Sequence, residues 1–445
     1  MYDDTIAAIS TPLGASGIGI ARMTGPDALA IARRLFTRRL RPGRLSYGHI
    51  VDPESREIVD EALASYMPAP HSYTREDVVE VNCHGGALPL QGVLALMLRH
   101  GARAALPGEF TLRAFLNGRI DLAQAEAVAD VVEARTAAAL RLAVDGLRGR
   151  LSTPVRALRA RLVDLLAYLT ARVDFPEDDV PRQDIAATIN ECSQQVRDLL
   201  ANADAGLVFR QGVRTAIVGR PNVGKSSLLN RLLRENRAIV TPVPGTTRDT
   251  VEEVVNLHGV PFVLVDTAGI VESRDPVESL GVERSRRAIA RSELVLFVVD
   301  ASQELAPEDE AIARLLDERS VLLAANKCDL SRRARLAALP WEPVTISALT
   351  GQGLDELELR MVRAALGGEA VASDQVLVTN PRHKDALERT ARALQGGEEA
   401  AAGDAPEDLI AVDISAAAEA LGEITGETVG PELLEAIFSR FCIGK

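Results

Sequence analysis

One stretch of eight residues, 219–226 (GRPNVGKS), constrains the fold of this chain more than any other. It follows an apolar run at 213–218 that is typical of a buried parallel strand, and it precedes helical spacing at 227–233. A glycine loop between a strand and a helix is the setting of a phosphate-binding loop. Glycines let backbone N–H groups converge on phosphates, and a helix N-terminus adds partial positive charge. The stretch therefore predicts a nucleotide site.

Three further motifs follow in the order that a GTPase requires. DTAG at 266–269, NKCD at 326–329 and SAL at 347–349 each come after a short apolar run. Asp329 can accept from both N1–H and the N2 amino group of guanine, a pair that adenine lacks. The alternative for the first motif is a chance glycine turn before a helix, but this would not explain the three motifs that follow it in order. Residues 212–368 are therefore predicted to be a GTPase domain. Its predicted nucleotide ligands are Asn222, Val223, Gly224, Lys225, Ser226, Ser227, Asp266, Thr267, Ala268, Gly269, Asn326, Lys327, Asp329, Ser347, Ala348 and Leu349.

Two of these residues have distinct chemical roles. Lys225 can reach the β- and γ-phosphates of the nucleotide, and the hydroxyl of Ser226 can hold Mg²⁺. Both roles are expected of this motif once a strand and a helix flank it.

Length and charge limit the class of protein. A chain of 445 residues suggests about three domains. The net charge of −13 argues against a broad electrostatic contact with nucleic acid, although 50 Lys and Arg leave room for a local basic patch. The start has no secretory signal, no run approaches a membrane span, and the four cysteines are scattered without metal-ligand spacing. We therefore expect a cytoplasmic protein with reduced thiols and no membrane contact.

The spacing of apolar residues predicts a multidomain α/β protein. Residues 1–118 read as an α+β domain, with strands at 5–10, 17–22 and 77–82 and helices at 27–36 and 89–98. Long helices are predicted at 123–151, 155–173 and 185–200 within 119–211, with breaks at Pro154 and Pro176. Further helices follow at 384–394 and 407–421 within 369–445, and 398–406 is expected to be a loop. We expect the helices on both sides to form one discontinuous bundle, into which a Ras-like P-loop GTPase domain with a doubly wound sheet is inserted.

Several long sequence stretches, spread from the N-terminal to the C-terminal part of the chain, match a known family. They are PGEFTLRAFLN at 107–117, DLAQAEA at 121–127, DFPE at 174–177, GTTRD at 245–249, LGEITGE at 421–427 and FCIGK at 441–445. On these residues the chain resembles the bacterial tRNA-modification GTPase family MnmE, also called TrmE.

The resemblance implies a function that composition and periodicity do not indicate. It implies a homodimer formed through a folate-binding N-terminal domain, and a heterotetramer with the flavin-dependent partner MnmG. The pair adds an aminomethyl or carboxymethylaminomethyl group to carbon 5 of the wobble uridine of certain tRNAs, with a reduced folate as the source of the one-carbon unit.

The resemblance also assigns residues outside the nucleotide motifs. Folate contacts map to Arg22, Glu80, Arg119 and Lys445, where a carboxylate suits the pterin N–H groups and cations suit the glutamate tail. Arg119 stands where some relatives have Lys. Without the resemblance, each of the four would be interpreted as a solvated surface charge. Cys442 maps to a thiol needed for modification, the alternative being a small buried hydrophobe.

The hydrolytic machinery is also assigned by resemblance. Ile270 stands where many small GTPases have a Gln that orients water, and the role maps instead to Glu278, whose alternative is an exposed helix N-terminal glutamate. Thr247 is the switch threonine expected at Mg²⁺. In place of an arginine finger the family uses K⁺, which brings two GTPase domains together. The implied K⁺ ligands are Asn222, Thr241, Val243 and Thr246, with Thr241, Thr246 and Thr247 also counted as nucleotide ligands. The alternative for Asn222 is a turn residue that bonds its own loop.

Two rival functions stay open from the residues alone. One is a regulatory RNA-binding GTPase of ribosome assembly, against which the charge of −13 speaks. The other is a folate-dependent one-carbon transferase whose GTPase domain is only regulatory. The adjacent Cys83 and His84 also suggest a Cys–His catalytic pair, but neighbours on a strand point apart.

Overall fold

The computed structural model describes residues 3–175, 183–236, 253–265, 286, 288–316, 319–331, 333–368, 376–403 and 405–445. The chain forms two compact units, Met1–Ala129 with Gly422–Lys445, and Asp130–Leu421.

The strands, in chain order, are β1 (Ile6–Ile9), β2 (Ser16–Thr24), β3 (Leu45–Val51), β4 (Ile58–Met67), β5 (Val78–Gly85), β6 (Arg103–Ala104), β7 (Val213–Val218), β8 (Glu253–Leu257), β9 (Val260–Val265), β10 (Leu294–Asp300), β11 (Val321–Asn326) and β12 (Pro343–Thr345). The helices are α1 (Ala28–Leu35), α2 (Ala87–Arg99), α3 (Glu109–Leu116), α4 (Leu122–Glu133), α5 (Ala137–Leu147), α6 (Ser152–Asp174), α7 (Ile185–Leu200), α8 (Ala203–Gln211), α9 (Lys225–Asn236), α10 (Pro307–Arg314), α11 (Leu354–Ala365), α12 (Pro381–Ala402), α13 (Glu407–Thr425) and α14 (Pro431–Phe438).

The first unit is built on a six-stranded sheet in the order β3-β4-β5-β2-β1-β6. Its pairs are antiparallel except β1 with β6. Helices α1 and α2 cover the sheet, and their apolar residues share one core with those of the strands. A second cluster joins α3 to the C-terminal segment, where Phe438 and Phe441 pack with Ala114 and Leu122. This packing groups Gly422–Lys445 with the N-terminal residues, whereas we expected the whole of 369–445 to lie with the helical bundle.

The second unit contains the predicted nucleotide-binding sheet, in the order β12-β11-β10-β7-β9-β8. All pairs are parallel except β8 with β9. β9 and β10 are buried along their whole length, because apolar clusters pack on both faces of the sheet. The carboxyl ends of parallel strands meet at one edge, so the loops after β7, β11 and β12 converge there. The predicted fold class is thereby confirmed.

The helical part joins segments that lie far apart in sequence. α12 packs along α7, and α6 packs against α7. Arg172 near the end of α6 pairs with Glu407 at the start of α13, 2.9 Å apart. These contacts agree with a discontinuous bundle, while the domain limits at 118, 211 and 368 stay predictions.

Three local expectations were wrong. The helix expected over 123–151 is interrupted between α4 and α5, where Thr136 caps α5 by accepting from the N–H of Ala139 at 3.1 Å. Pro154 lies inside the first turn of α6, where its missing N–H costs nothing. The loop expected over 398–406 is helical as far as Ala402. The break expected at Pro176 lies outside the described residues.

No helix in the described ranges is both long and apolar enough to cross a membrane.

Candidate functional site

The phosphate-binding loop lies between β7 and α9, as its sequence predicts. Gly219 has φ +151°, and a Cβ there would lie 2.3 Å from the carbonyl oxygen of Val298. Gly224 has φ +101°, and a Cβ there would lie 2.2 Å from Nδ2 of Asn326. Both positions therefore require glycine, because a side chain would be strained in conformation and would collide with a neighbouring strand or motif.

Lys225 is held against the loop that it follows. Its Nζ donates to the carbonyl oxygens of Gly219 at 2.7 Å and Arg220 at 2.8 Å. Burial lowers the pKa of Lys225 to about 8, and the charge of Asp309 opposes this shift. A desolvated ammonium group beside the loop is a strong partner for phosphate oxygens.

The rest of the loop has the expected form. Asn222 has φ +61°, a left-handed conformation that Asn tolerates better than most residues. Val223 is fully buried in the core of the sheet. Ser226 and Ser227 lie in the first turn of α9, where the hydroxyl of Ser226 suits Mg²⁺ bound to a nucleotide phosphate.

The guanine motif is held together by Asn326, at the end of β11. Its Nδ2 donates to the carbonyl oxygen of Val223 at 2.7 Å, and its Oδ1 accepts from the N–H of Ala348 at 2.9 Å. The side chain thus links the phosphate loop to the segment 347–349. Asp329 is fixed by the hydroxyl of Ser347, which donates to its Oδ1 at 2.5 Å. The structure therefore brings the first, third and fourth predicted motifs to one edge of the sheet, with Leu349 exposed beside them.

One acid beside this motif, Asp300, was not predicted from the sequence. Lys327 has φ +67°, and its Nζ donates to Asp300 at 2.7 Å. Burial alone would raise the pKa of Asp300, but hydrogen bonds from Lys327 and Ser302 hold it below its ordinary value. Asp300 ends β10, and its signal in the sequence is an acid directly after a long apolar run.

A second missed contact supports the phosphate loop from outside. Nε of Arg220 donates to Oδ2 of Asp309 at 3.1 Å, and Asp309 is only 1% exposed. The same carboxylate oxygen accepts from the N–H of Ala306 at the start of α10. The pair therefore fixes the loop to α10, a contact between distant residues for which the sequence carries no local signal.

The remaining predicted residues of the GTPase machinery lie outside the described residues. They are Thr241, Val243, Thr246, Thr247, Asp266, Thr267, Ala268, Gly269, Ile270 and Glu278. Their roles stay predictions.

The four predicted folate residues come together in the first unit. Arg22 on β2 lies opposite Glu80 on β5, and its Nε donates to Oε1 of Glu80 at 2.7 Å. Nη1 of Arg22 also donates to the carbonyl oxygen of Gly444 at 3.4 Å, which places Lys445 at the same location. Both partners of the Arg22–Glu80 pair keep about a fifth of their side chains exposed (21% and 22%), so they are open to a ligand.

Tyr73 is the centre of this group and was missed by sequence analysis. The guanidinium carbon of Arg119 lies 4.6 Å from the centroid of its ring, and that of Arg22 lies 6.0 Å from it. Its hydroxyl shares a 2.9 Å hydrogen bond with the hydroxyl of Thr111. Cations over an aromatic ring gain electrostatic attraction, so Tyr73 holds both arginines, one of which pairs with Glu80. No local pattern marks Tyr73, because its partners come from distant parts of the chain.

The cysteines have different surroundings. Cys442 is exposed, while the carbonyl oxygen of the same residue accepts from the N–H of Gly108 at 3.5 Å. Cys83 is buried, its Sγ donates to the carbonyl oxygen of Gly19, and burial raises its pKa to about 11. The ring of His84 instead lies 2.7 Å from Asp60. Cys83 and His84 therefore form no catalytic pair, as the strand geometry predicts. Within the described ranges, no group of three or more His, Cys, Asp or Glu could hold a metal ion.

Comparison with known proteins covers nearly the whole chain. Residues 122–442 match a family model described as the MnmE helical domain, and residues 5–119 match one described as the GTP-binding protein TrmE N-terminus. A protein of Chloroflexus aurantiacus named tRNA modification GTPase MnmE is 54% identical over 453 residues, with all of both chains covered. Proteins of the same name from Roseiflexus castenholzii and Alkaliphilus metalliredigens are 52% and 48% identical, again over all of this chain and 100% and 99% of theirs.

Proposed function

Since the chain belongs to the MnmE family of tRNA modification GTPases, we propose that its GTP hydrolysis drives a one-carbon addition to carbon 5 of the wobble uridine. In this proposal a reduced folate supplies the carbon, and a flavin-dependent partner, MnmG, acts with a homodimer of this chain in a heterotetramer. Mg²⁺ and K⁺ assist hydrolysis, and the protein acts in the cytoplasm. Membership of the family makes the chain a GTP hydrolase that acts in tRNA modification, and so disfavours the ribosome-assembly alternative.

The observation that carries the proposal is the arrangement of Arg22, Glu80 and Arg119 around Tyr73. The three charges come from distant parts of the chain: both arginines lie over one aromatic ring, and Glu80 pairs with Arg22 at 2.6 Å. A carboxylate there can accept from the amino group and ring N–H of a pterin, as Asp329 can from guanine. The arginines, with Lys445 nearby, suit the carboxylates of the glutamate tail. The residues present therefore fit a folate.

The chain's own residues would bind and orient this ligand. The folate carries the one-carbon unit, and Glu80 would hold the pterin by its N–H edge. Cys442 is exposed on the C-terminal segment that also includes Gly444, the acceptor of Arg22. We propose that Cys442 acts in the modification step and takes no part in GTP hydrolysis.

The test is mass analysis of tRNA nucleosides from a strain that lacks the gene and carries a restored copy. We expect wild type to restore the modified wobble uridine, and Glu80→Gln and Cys442→Ser to fail while their purified proteins still hydrolyse GTP. Glu54→Gln, an exposed carboxylate on the same domain, is the matched control and should restore modification. Full restoration by Glu80→Gln would contradict the assignment of the folate site.

A titration separates binding from chemistry. Tetrahydrofolate should bind the purified wild type, the Glu54→Gln protein and the Cys442→Ser protein. Glu80→Gln should lose most of this binding, because one of the two acceptor oxygens becomes an NH₂ group, which donates and cannot accept from a pterin N–H.

A further inference from the structure

One segment of the first unit carries positive charge without a single acid. Residues 28–51 hold six arginines and no Asp or Glu, although the chain has 63 acids and a net charge of −13. The six are Arg33, Arg34, Arg38, Arg39, Arg41 and Arg44, and all are exposed. We call residues 33–44 the arginine segment. Arginines scattered for solubility would be interspersed with acids, and here they are not.

The arginines of this segment differ from others in the same unit in having no carboxylate partners. Arg99, Arg103 and Arg113 each pair with an acid at 2.9 Å or less. Within the part of the chain that the structure describes, none of the six in the arginine segment lies in an ion pair. Their charge is therefore not neutralised within the unit.

Backbone contacts fix the segment along β3 and β4. The N–H of Thr37 donates to the carbonyl oxygen of His49 at 3.0 Å, and the N–H of Gly43 donates to that of Tyr66 at 3.0 Å. Arg38 lies over Gly48, where an added Cβ would be 3.1 Å from its Cγ. Since Arg44 directly precedes β3 and Arg38 lies over Gly48, the two arginines are anchored about four strand residues apart, or about 13 Å. That distance exceeds the Debye length of about 8 Å at physiological salt, so the two ends of the segment act as one field only at low salt, where the Debye length is longer.

The neighbouring acids are engaged elsewhere. Asp77 accepts from the hydroxyl of Tyr66 and the N–H of Ala69. Asp52 pairs with Arg99, and Glu61 accepts from the hydroxyl of Tyr47. Arg33 and Arg34 lie in the last turn of α1, where cations favour the helix dipole. The other four arginines lie beyond the end of α1, so the helix dipole does not explain why cations occur at those positions.

The chemistry of the segment favours nucleic acid over lipid. Membrane-binding segments expose apolar side chains beside their cations, but the large apolar residues within this segment, Leu35, Phe36 and Leu40, are buried. Leu45 and Tyr47 are exposed only on the adjoining β3. Arginine presents a planar fork of donors that matches phosphate oxygens. Folded RNA is contacted largely through its phosphates and shape.

We propose that the arginine segment is the surface through which this protein binds the phosphate backbone of its tRNA. The inference rests on the role in tRNA modification and on neither the folate site nor the K⁺ site. A protein with a net charge of −13 can bind a polyanionic tRNA in this way, because the contact is confined to one positively charged surface.

The test is the salt dependence of tRNA binding by the full chain. A fluorescent, unmodified tRNA transcript with uridine at the wobble position is titrated from 50 to 200 mM NaCl, without folate or partner protein. The triple variant Arg38→Gln, Arg39→Gln, Arg41→Gln should bind about 10-fold or more weakly at low salt. Each lost phosphate contact reduces the slope of log affinity against log salt by about one, so the slope should fall by about two to three. GTP hydrolysis should not change.

A matched control removes the same charge elsewhere. The triple variant Arg314→Gln, Arg335→Gln, Arg363→Gln changes three exposed arginines of the second unit and should bind tRNA like wild type. The proposal would be overturned if wild type and the variant with Arg38, Arg39 and Arg41 replaced showed equal salt slopes. It would also be overturned if both triple variants lost the same amount of tRNA affinity. Loss of binding to phosphatidylglycerol vesicles with tRNA binding intact would overturn it as well, since lipid would then be the ligand. Because no folate or partner is present, failure of the one-carbon chemistry leaves this measurement unaffected.

Discussion

At the scale of single residues, the predictable part of the nucleotide site is the part defined by local spacing. Lys225, Asn326 and Asp329 each stand at a fixed offset from a glycine or from the end of a strand, so sequence alone locates them. Asp309 acts through a partner 89 residues away, and no local pattern marks it. Asp300 is marked only as an acid directly after an apolar run, and nothing local indicates its partner 27 residues away. Tyr73 is likewise not predictable from local sequence, because its role depends on two arginines that only the fold brings close to it.

The first residue-scale prediction concerns guanine specificity. In Asp329→Asn, the amide oxygen can still accept from Ser347, which leaves the NH₂ group facing the base. A donor then meets the N–H edge of guanine, and the mismatch costs about 1–3 kcal/mol, or roughly 5- to 150-fold in GTP affinity. Xanthine nucleotides, whose O2 suits an amide donor, should bind better than GTP. The measurement is competition of both nucleotides against a fluorescent analogue.

The control for this change is Asp355→Asn, an exposed acid at the start of α11 in the same unit. It makes the same chemical substitution away from the motif and should leave nucleotide preference as in wild type. Unchanged GTP affinity in Asp329→Asn would contradict the role given to Asp329.

At the scale of elements, regular segments were predictable, and the places where two elements touch were not. The limits of α7 and β7 match the predicted residues because each is a single uninterrupted pattern. The end of α12 was missed because its Ala- and Gly-rich sequence resembles a loop. Gly396 lies beneath Asp413 of α13, where an added Cβ would be 3.0 Å from a carboxylate oxygen, so its small size serves close packing.

The element-scale prediction concerns Thr136, which joins α5 to the turn between β8 and β9. Its hydroxyl accepts from the N–H of Ala139 and donates to the carbonyl oxygen of Gly259 at 3.0 Å. Thr136→Val keeps the shape and removes both hydrogen bonds, which should cost about 0.5–2 kcal/mol of stability. Urea unfolding followed by tryptophan fluorescence measures it, since Trp341, the single tryptophan, packs edge-on against Phe297 of β10 at 6.1 Å.

The matched control makes the same substitution where only a local bond is lost. Thr170 is exposed on α6 and donates to the carbonyl oxygen of Leu166 in its own helix. Thr170→Val should shift the unfolding midpoint much less than Thr136→Val. Equal midpoints for the two variants would mean that the contact between α5 and the turn contributes nothing to the stability of the sheet.

At the scale of the whole molecule, the order of elements along the chain does not show which elements pack together in one compact unit. The C-terminal residues fold with the N-terminal unit because Phe438 and Phe441 fill a cluster with Ala114 and Leu122, about 300 residues earlier. Helical periodicity in 431–438 could not show this, since an amphipathic helix does not indicate which apolar surface it covers. Length and the family resemblance predict three parts, which stays a prediction, and the packing shows which residues lie together in each of the two units.

The whole-molecule prediction concerns the positive charge that stabilises the transition state of GTP hydrolysis. We expect K⁺ to supply this charge and to bring two copies of the GTPase domain together. Negative charge spreads over the γ-phosphate oxygens during hydrolysis, and a cation there lowers the barrier. Asn222 lies in the phosphate loop with a backbone that suits Asn or Gly, so Asn222→Gly removes the side-chain oxygen without adding strain. Asn222→Gly and Asn222→Ala should both bind GTP through Lys225 and Asp329 yet lose stimulation by K⁺. Equal rates for wild type in KCl and NaCl at matched ionic strength would falsify the K⁺ proposal.

A further variant separates association of the domains from catalysis. Glu278→Ala should keep K⁺-dependent association in light scattering with a GTP analogue, because the loop assigned to K⁺ is unchanged. Its rate of hydrolysis should nevertheless fall, because only the orientation of the attacking water is lost. If Glu278→Ala lost association as well, Glu278 would act in forming the paired state, and the residue that orients water would have to be sought elsewhere in the chain.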